Sequence, residues 1–341
     1  MPLRRATPPH LSYVWRCYPE HSPSVKKKIS ILLIRLGGLG DLLVILPSLQ
    51  LMRRVFPLSR FTLVGRADYG LLLKQAGLVE EVLDAGSSRF AALFSGEDRL
   101  GPELEAWLKN FDQVWVWSLK ESGSDYEAAL KRQGAKSVRV LGPPSGLSRP
   151  LFQHYFDRTA EALGVKKAFC GDSEAFSRLS SPEWKTTAEK KGAPEAIIHP
   201  GSGSRKKCWP LDRFLAVADR LSGRKATGLV VTGEAEAWLE PELKNHRFPS
   251  GWSWVPRPTL VSLAGWLSAC RVYLGNDSGI THLAAACGAR VLALFRREAL
   301  PLWRPYGRVT LLSAEEVADI GTDRVWGASL HMVECKLPYL L

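Results

Sequence analysis

The first 28 residues show no sustained alternation of apolar and polar positions. They carry Arg4, Arg5, Arg16, Lys26, Lys27 and Lys28 against one acid, Glu20, with five prolines. This pattern predicts a loosely ordered basic leader over 1–28, either a contact for phosphate-rich surfaces or a solvated tail. The character then changes to Ile29, Ile31, Leu32, Leu33 and Ile34, followed by Gly37, Gly38 and Gly40, as in a buried parallel strand entering a glycine turn. Beyond Asp41, apolar residues at 42, 43, 45, 46, 49, 52, 55 and 56 have helical spacing, with Arg53 and Arg54 where cations suit the helix dipole. The alternation repeats, with strands over 61–64, 79–83, 114–117 and 138–141 and helices near 68–77, 101–109 and 151–164. A polar stretch over 165–194 interrupts it, and a second series follows: strands over 196–199, 228–232, 272–274 and 291–295, and helices over 212–221 and near 235–244, 259–269 and 279–287. Strands separated by helices predict doubly wound parallel sheets. The chain divides into a leader (1–28), a Rossmann-like unit (29–170), a connection (171–194) and a second Rossmann-like unit (195–341), whose last segment is a candidate to pack back on the first.

A chain of 341 residues, 45% hydrophobic and 23% charged, has ample apolar surface for two cores and is neither fibrous nor globally disordered. Arg35, Asp41, Asp277 and Arg290 interrupt the longest apolar runs, so no membrane-spanning helix is expected. The N-terminus lacks the apolar core of a secretory signal, which predicts a cytoplasmic protein. Six scattered cysteines form no C-x-x-C pair or metal-spaced cluster and read as reduced thiols. The formal charge of +12 and pI near 9.5 favour acidic partners. Nucleic acid is supported by net charge alone, since no nucleic-acid-binding module is found.

Four segments could carry chemistry. Arg35-Leu36-Gly37-Gly38-Leu39-Gly40-Asp41 is not a G-x-G-x-x-G loop, and an acid at the helix start would repel a dinucleotide pyrophosphate. Asp41 either complements the helix dipole or points into the crevice at the strand end, where it would accept a proton from a substrate hydroxyl. His199-Pro200-Gly201-Ser202-Gly203-Ser204-Arg205-Lys206-Lys207-Cys208-Trp209-Pro210 combines glycines, hydroxyls and cations, as a phosphate-binding loop does, or is a solvated basic turn. Gly275-Asn276-Asp277-Ser278-Gly279-Ile280-Thr281-His282 would place the amides of Ser278 and Gly279 on a diphosphate and Asp277 on sugar hydroxyls. His282 is a ligand contact or a packing histidine. Glu234 and Glu236, after the 228–232 strand, accept ribose hydroxyls or are exposed helix-start acids.

In this order and spacing, IRLGGLGDLLVILPSL, IIHPGSGSRKKCWPLDRF and YLGNDSGITHLAAACGARVLALF resemble the heptosyltransferase family of lipopolysaccharide synthesis, glycosyltransferase family 9, over about residues 29–310. The resemblance implies an α/β GT-B fold: two Rossmann-like doubly wound domains facing across a central cleft, the first for the acceptor and the second for the nucleotide sugar. It implies an inverting, metal-independent transfer of a heptose-like sugar from an ADP-sugar, with no cofactor, to a lipopolysaccharide-core-type acceptor. That acceptor is an anionic glycolipid, which implies peripheral contact with the cytoplasmic face of the inner membrane. By position, Asp41 is the base and Lys207 contacts the donor phosphates; Gly38, Gly40, Ser202, Ser204, Asp277, Ser278, Gly279 and His282 surround the substrates, and Glu236 meets the ribose. The chain departs from the family at Arg296-Arg297-Glu298-Ala299-Leu300, where Gly-Pro-Thr-Asp-Pro is common. A GT-B sugar-nucleotide epimerase and a non-catalytic sugar-nucleotide-binding protein are the alternatives.

Overall fold

The computed structural model describes Val25 and residues 27–90, 101–118, 124–165, 178–184 and 193–334. The leader expected over 1–28 lies almost wholly outside these residues, as does most of the connection expected over 171–194.

Two parallel sheets organise the molecule. The first contains β1 (Ser30–Ile34), β2 (Arg60–Gly65), β3 (Glu81–Asp84), β4 (Gln113–Trp117) and β5 (Val138–Leu141) in the order β3-β2-β1-β4-β5. Its helices are α1 (Leu39–Leu43), α2 (Leu46–Val55), α3 (Ala67–Gln75), α4 (Pro102–Leu108), α5 (Ser124–Arg132) and α6 (Leu151–Ala162). The second contains β6 (Ala196–His199), β7 (Gly228–Thr232), β8 (Trp252–Pro256), β9 (Val272–Asn276), β10 (Arg290–Arg296) and β11 (Val309–Ala314) in the order β11-β10-β9-β6-β7-β8. With it go α7 (Leu211–Ser222), α8 (Glu240–Asn245), α9 (Leu260–Ala269), α10 (Gly279–Ala286), α11 (Leu300–Trp303) and α12 (Thr322–Glu334). These are the two Rossmann-like sheets of a GT-B fold.

Strand order reverses direction at β1/β4 in one sheet and β6/β9 in the other, paired as Ile34↔Val116 and His199↔Gly275. In open parallel sheets such reversals leave a crevice beyond the carboxyl ends of the strands. The loops after β1, β6 and β9 all open there, and these are three of the four motif segments.

β1 is buried along Ile31–Ile34 because helices cover both faces of the sheet. Leu32 and Ile34 pack on one side with Leu104, Leu108 and Val114. Ile31 and Leu33 belong to an apolar cluster that runs through Leu39, Leu42 and Tyr155 of the first lobe into Leu283, Ala284, Ala286 and Tyr306 of the second. A separate cluster around Trp209, Phe214 and Leu274 fills the outer side of the second sheet. The described part of the connection bridges the halves: Leu179 donates its amide to Ala286 O, and Trp184 Nε1 donates to Gln75 Oε1.

α12 lies on the second lobe, where Asp323 pairs with Arg220, Glu334 with Arg224, and the Met332 carbonyl accepts from Arg290. Apolar burial of Val325 and Met332 beside Trp209 and Phe214 explains this placement. Residues 335–341 lie outside the described residues. Among the described residues, no helix is long and apolar enough to cross a membrane.

Candidate active site

The β1 strand ends in a turn that its own sequence makes tight. Gly37 has φ +109°, and a side chain there would run into the Asp41 carboxylate. Gly38 caps α1, and its amide donates to Asp41 Oδ2 at 2.7 Å. Asp41 is therefore the third helical residue reaching back to the cap, so the dipole reading of this residue holds. It also lines the cleft. Behind it lies Arg35, 3% exposed. Its Nε donates to Asp41 O at 2.7 Å, its Nη1 to Trp117 O at 2.8 Å, and its Nη2 stands 3.4 Å from Asp41 Oδ1.

In the second lobe the loop after β6 is stitched to the end of β9. Asn276 Nδ2 donates to Pro200 O at 2.8 Å, the Trp209 amide donates to Asn276 Oδ1 at 3.0 Å, and Ser202 Oγ donates to Asp277 O at 2.6 Å. The Ser202 proton is thus already engaged, which makes this residue a strut of the loop more than a donor to a ligand. Lys207 ends a single turn of 3-10 helix (Arg205–Lys207), and its Nζ lies 2.7 Å from Asp277 Oδ2. The lysine is half-exposed and the aspartate buried, so the ammonium faces the cleft while its partner fixes it from behind. Ser204 lines the cleft beside it.

Ser278 caps α10, accepting from the Thr281 amide at 3.3 Å. The Thr281 hydroxyl donates to Asn276 O and contacts Tyr273 Oη at 3.0 Å, locking the helix start to its strand. Amides of a first turn have no partner within the helix, so this terminus offers donors to an anion. His282, one turn on, is 2% exposed, and its Nδ1 has no hydrogen-bond partner among the described residues. Burial lowers its pKa to about 4 despite the opposing charges of Asp277 and Asp41, with Lys207 adding to the fall. His282 is therefore neutral at pH 7.

Glu236 is buried in the turn after β7. Its Oε2 accepts from the Gly233 amide at 2.7 Å and lies 3.6 Å from His199 Nε2. Burial pushes its carboxyl upward, yet His199 and the Gly233 amide outweigh that and hold it below the usual carboxylate range. Gly201 faces it so closely that an added methyl would overlap the carboxyl.

All twelve residues singled out from the sequence line one cavity of about 930 Å³ between the lobes: Gly38, Gly40, Asp41, Ser202, Ser204, Lys207, Glu234, Glu236, Asp277, Ser278, Gly279 and His282. Gly40 and Gly279 are also where the lobes touch. A methyl on Gly279 would come within 3.0 Å of the Gly40 amide, and one on Gly40 within 3.5 Å of His282 Cδ2. The sequence reading missed Arg66, Tyr69, Arg257 and Trp303, which also line the cavity. Arg66 and Tyr69 follow β2, so the strand-end rule could have found them; no sequence signal marks Arg257 or Trp303. Residues 296–300 are not among those lining this cavity, and Arg296 is held by Glu298 and Glu316 at 2.8 and 3.0 Å. Among the described residues, no group of three or more His, Cys, Asp and Glu could hold a metal ion.

Two parallel sheets with cation, carboxylate and helix terminus gathered at their facing switch points form a GT-B fold with its site between the lobes. The sequence model of glycosyltransferase family 9 (heptosyltransferase) matches residues 120–319, and the chain belongs to that family. Lipopolysaccharide heptosyltransferase 1 of Pseudomonas aeruginosa is 24% identical over 302 residues, 78% of each chain. Among solved structures, a family 9 glycosyltransferase from Veillonella parvula superposes with a TM-score of 0.70 at 18% identity, covering 91% of this chain and 99% of that one. ADP-heptose lipopolysaccharide heptosyltransferase II of E. coli gives 0.69 at 17% identity, with 89% and 98% covered.

Proposed function

We propose that the enzyme transfers a heptose-like sugar from an ADP-sugar to a lipopolysaccharide-core-type acceptor, with inversion and without a metal ion. The observation that carries this reading is the placement of Asp41 from one lobe and Lys207, Asp277 and the α10 terminus from the other around a single cavity. The names of the relatives, one a lipopolysaccharide heptosyltransferase and one an ADP-heptose enzyme, support the choice of donor and acceptor.

In this mechanism Asp41 takes the proton of the acceptor hydroxyl as the oxygen attacks the anomeric carbon, and the nucleoside diphosphate leaves from the opposite face. Negative charge grows on the diphosphate. Lys207 and the amides at Ser278 and Gly279 meet it from fixed positions, so little reorganisation accompanies the step. Asp277, turned toward Lys207, adjoins the sugar, and Glu236 takes the ribose. A neutral His282 packs against Gly40 and supplies shape and polarity to the cavity without adding charge.

The test is Asp41→Asn assayed with ADP-heptose and heptose-less lipopolysaccharide. Turnover is expected to fall by about 10²-fold or more with the fold retained. A folded variant with parental turnover would remove Asp41 from the mechanism. ADP binding with no transfer to this acceptor by the parent enzyme would remove the acceptor assignment.

A further inference from the structure

We infer that Arg35 is a positioning residue that aims the Asp41 carboxylate at the acceptor hydroxyl. The inference rests on the reading of Asp41 as the base. A helix of five residues has little stability of its own, and α1 follows two glycines, one of them in the left-handed region. Nothing local to this turn fixes the direction of a side chain at its third helical position beyond the single bond from Gly38.

Arg35 supplies what the turn lacks. Its guanidinium is fixed from the far side by the Trp117 carbonyl at the end of β4 and lies over the ring of Tyr155 on α6, 5.3 Å from the centroid. Tyr155 is in turn anchored by its hydroxyl, which donates to Ser118 O at 2.6 Å. From this base Nε holds the Asp41 peptide while Nη2 faces Oδ1. The geometry separates the two carboxylate oxygens. Oδ2 accepts from the Gly38 amide, whereas the 3.4 Å contact to Oδ1 is too long to saturate it. Both oxygens keep lone-pair capacity for a substrate proton, and the guanidinium fixes the carboxylate from its buried side. Lysine cannot reproduce this, because one ammonium cannot span the Trp117 carbonyl, the Asp41 carbonyl and the carboxylate in a planar fork.

The experiment compares Arg35→Lys with the parent by thermal melting, ADP affinity and turnover with ADP-heptose and heptose-less lipopolysaccharide. Turnover is expected to fall about tenfold or more while ADP affinity stays within about threefold, since misaim of a reacting group costs rate without touching the donor lobe. A smaller loss of turnover, or ADP affinity falling in step with it, would overturn the inference. Should Arg35→Lys fail to fold, Tyr155→Phe decides: it keeps the ring and removes the anchor. Turnover at least about threefold lower at constant ADP affinity supports the role, and a smaller loss overturns it. Asp41→Asn assayed alongside separates the failures. Parental turnover in that variant defeats the base assignment itself, whereas an inactive Asp41→Asn beside a fully active Arg35→Lys defeats only the role of Arg35.

Discussion

At the scale of single residues, the glycines of the phosphate-type loop divide into those that approach a ligand and those that make room for a neighbour. Gly201 is of the second kind, since the Glu236 carboxyl occupies the space a side chain would need. Gly201→Ala is expected to displace Glu236 from the Gly233 amide and weaken ADP binding about tenfold or more, the loss of a charge-assisted hydrogen bond. Titration calorimetry with ADP reads this, and unchanged affinity would show that Glu236 does not meet the nucleotide. That Asp41, Lys207, Asp277 and His282 line the cleft was legible in the sequence because each lies in or just after a glycine-rich segment that follows a strand. Arg35 stood in the same motif unread as a participant. Its importance comes from Trp117 and Tyr155, which are 82 and 120 positions away, and no local pattern announces such a meeting. Ser202 was legible as a loop hydroxyl but not as a strut, because its acceptor, the Asp277 carbonyl, lies on another strand end.

At the scale of elements, the first turn of α1 and that of α10 press directly against each other through Gly40 and Gly279. A methyl on Gly279 would stand 2.9 Å from Leu39 Cβ, and backbone on both sides leaves little to yield. Gly279→Ala is expected to push the two helix starts apart and lower turnover by about 10- to 100-fold, at a stability cost of about 1–3 kcal/mol. Gly327→Ala, where an added methyl meets open space on α12, serves as the control in the same assay and melt. The buried strands were readable because helices on both faces make them continuously apolar. β8 and β11 were not, since both are edge strands with mostly half-exposed or exposed positions, and β8 ends in proline. The helix α5 went unread because its apolar stripe is short, Tyr126, Ala129 and Leu130 among polar neighbours. The helix expected near 235–244 is instead a 3-10 turn (Glu234–Leu239) followed by α8, with Pro241 in the first turn of the second piece.

At the scale of the whole molecule, pH and salt are the two levers the charge distribution provides. Unfolded His282 protonates near 6.5, whereas the folded residue resists until about 4. The unfolded chain therefore gains a proton first, and stability falls as pH drops across that window, by about 3 kcal/mol at about 1.4 kcal/mol per pKa unit. Glu236 adds a decline of the same sign at lower pH: its depressed carboxyl stabilises the fold above the usual carboxylate range, and that contribution is lost as pH falls through its folded value. Urea melts at pH 7, 5 and 4 should show the decline beginning well above the carboxylate range, and His282→Leu should flatten the part between pH 6.5 and 4. The formal +12 charge predicts that binding to vesicles containing anionic lipid weakens steeply between low and physiological salt. Salt-independent binding would rule out an electrostatic attachment.

The apolar cluster that runs from β1 through Leu39 and Leu42 into Leu283 and Ala284 makes the two lobes a poor pair of interchangeable parts. A hybrid enzyme assembled from the front half of one relative and the back half of another would join mismatched surfaces at the place where the chemistry occurs. Successful chimeras must exchange the Leu39–Leu43 and Gly279–Ala286 segments together, so new sugar preferences in this lineage should arise through loop substitution and not through wholesale recombination of lobes.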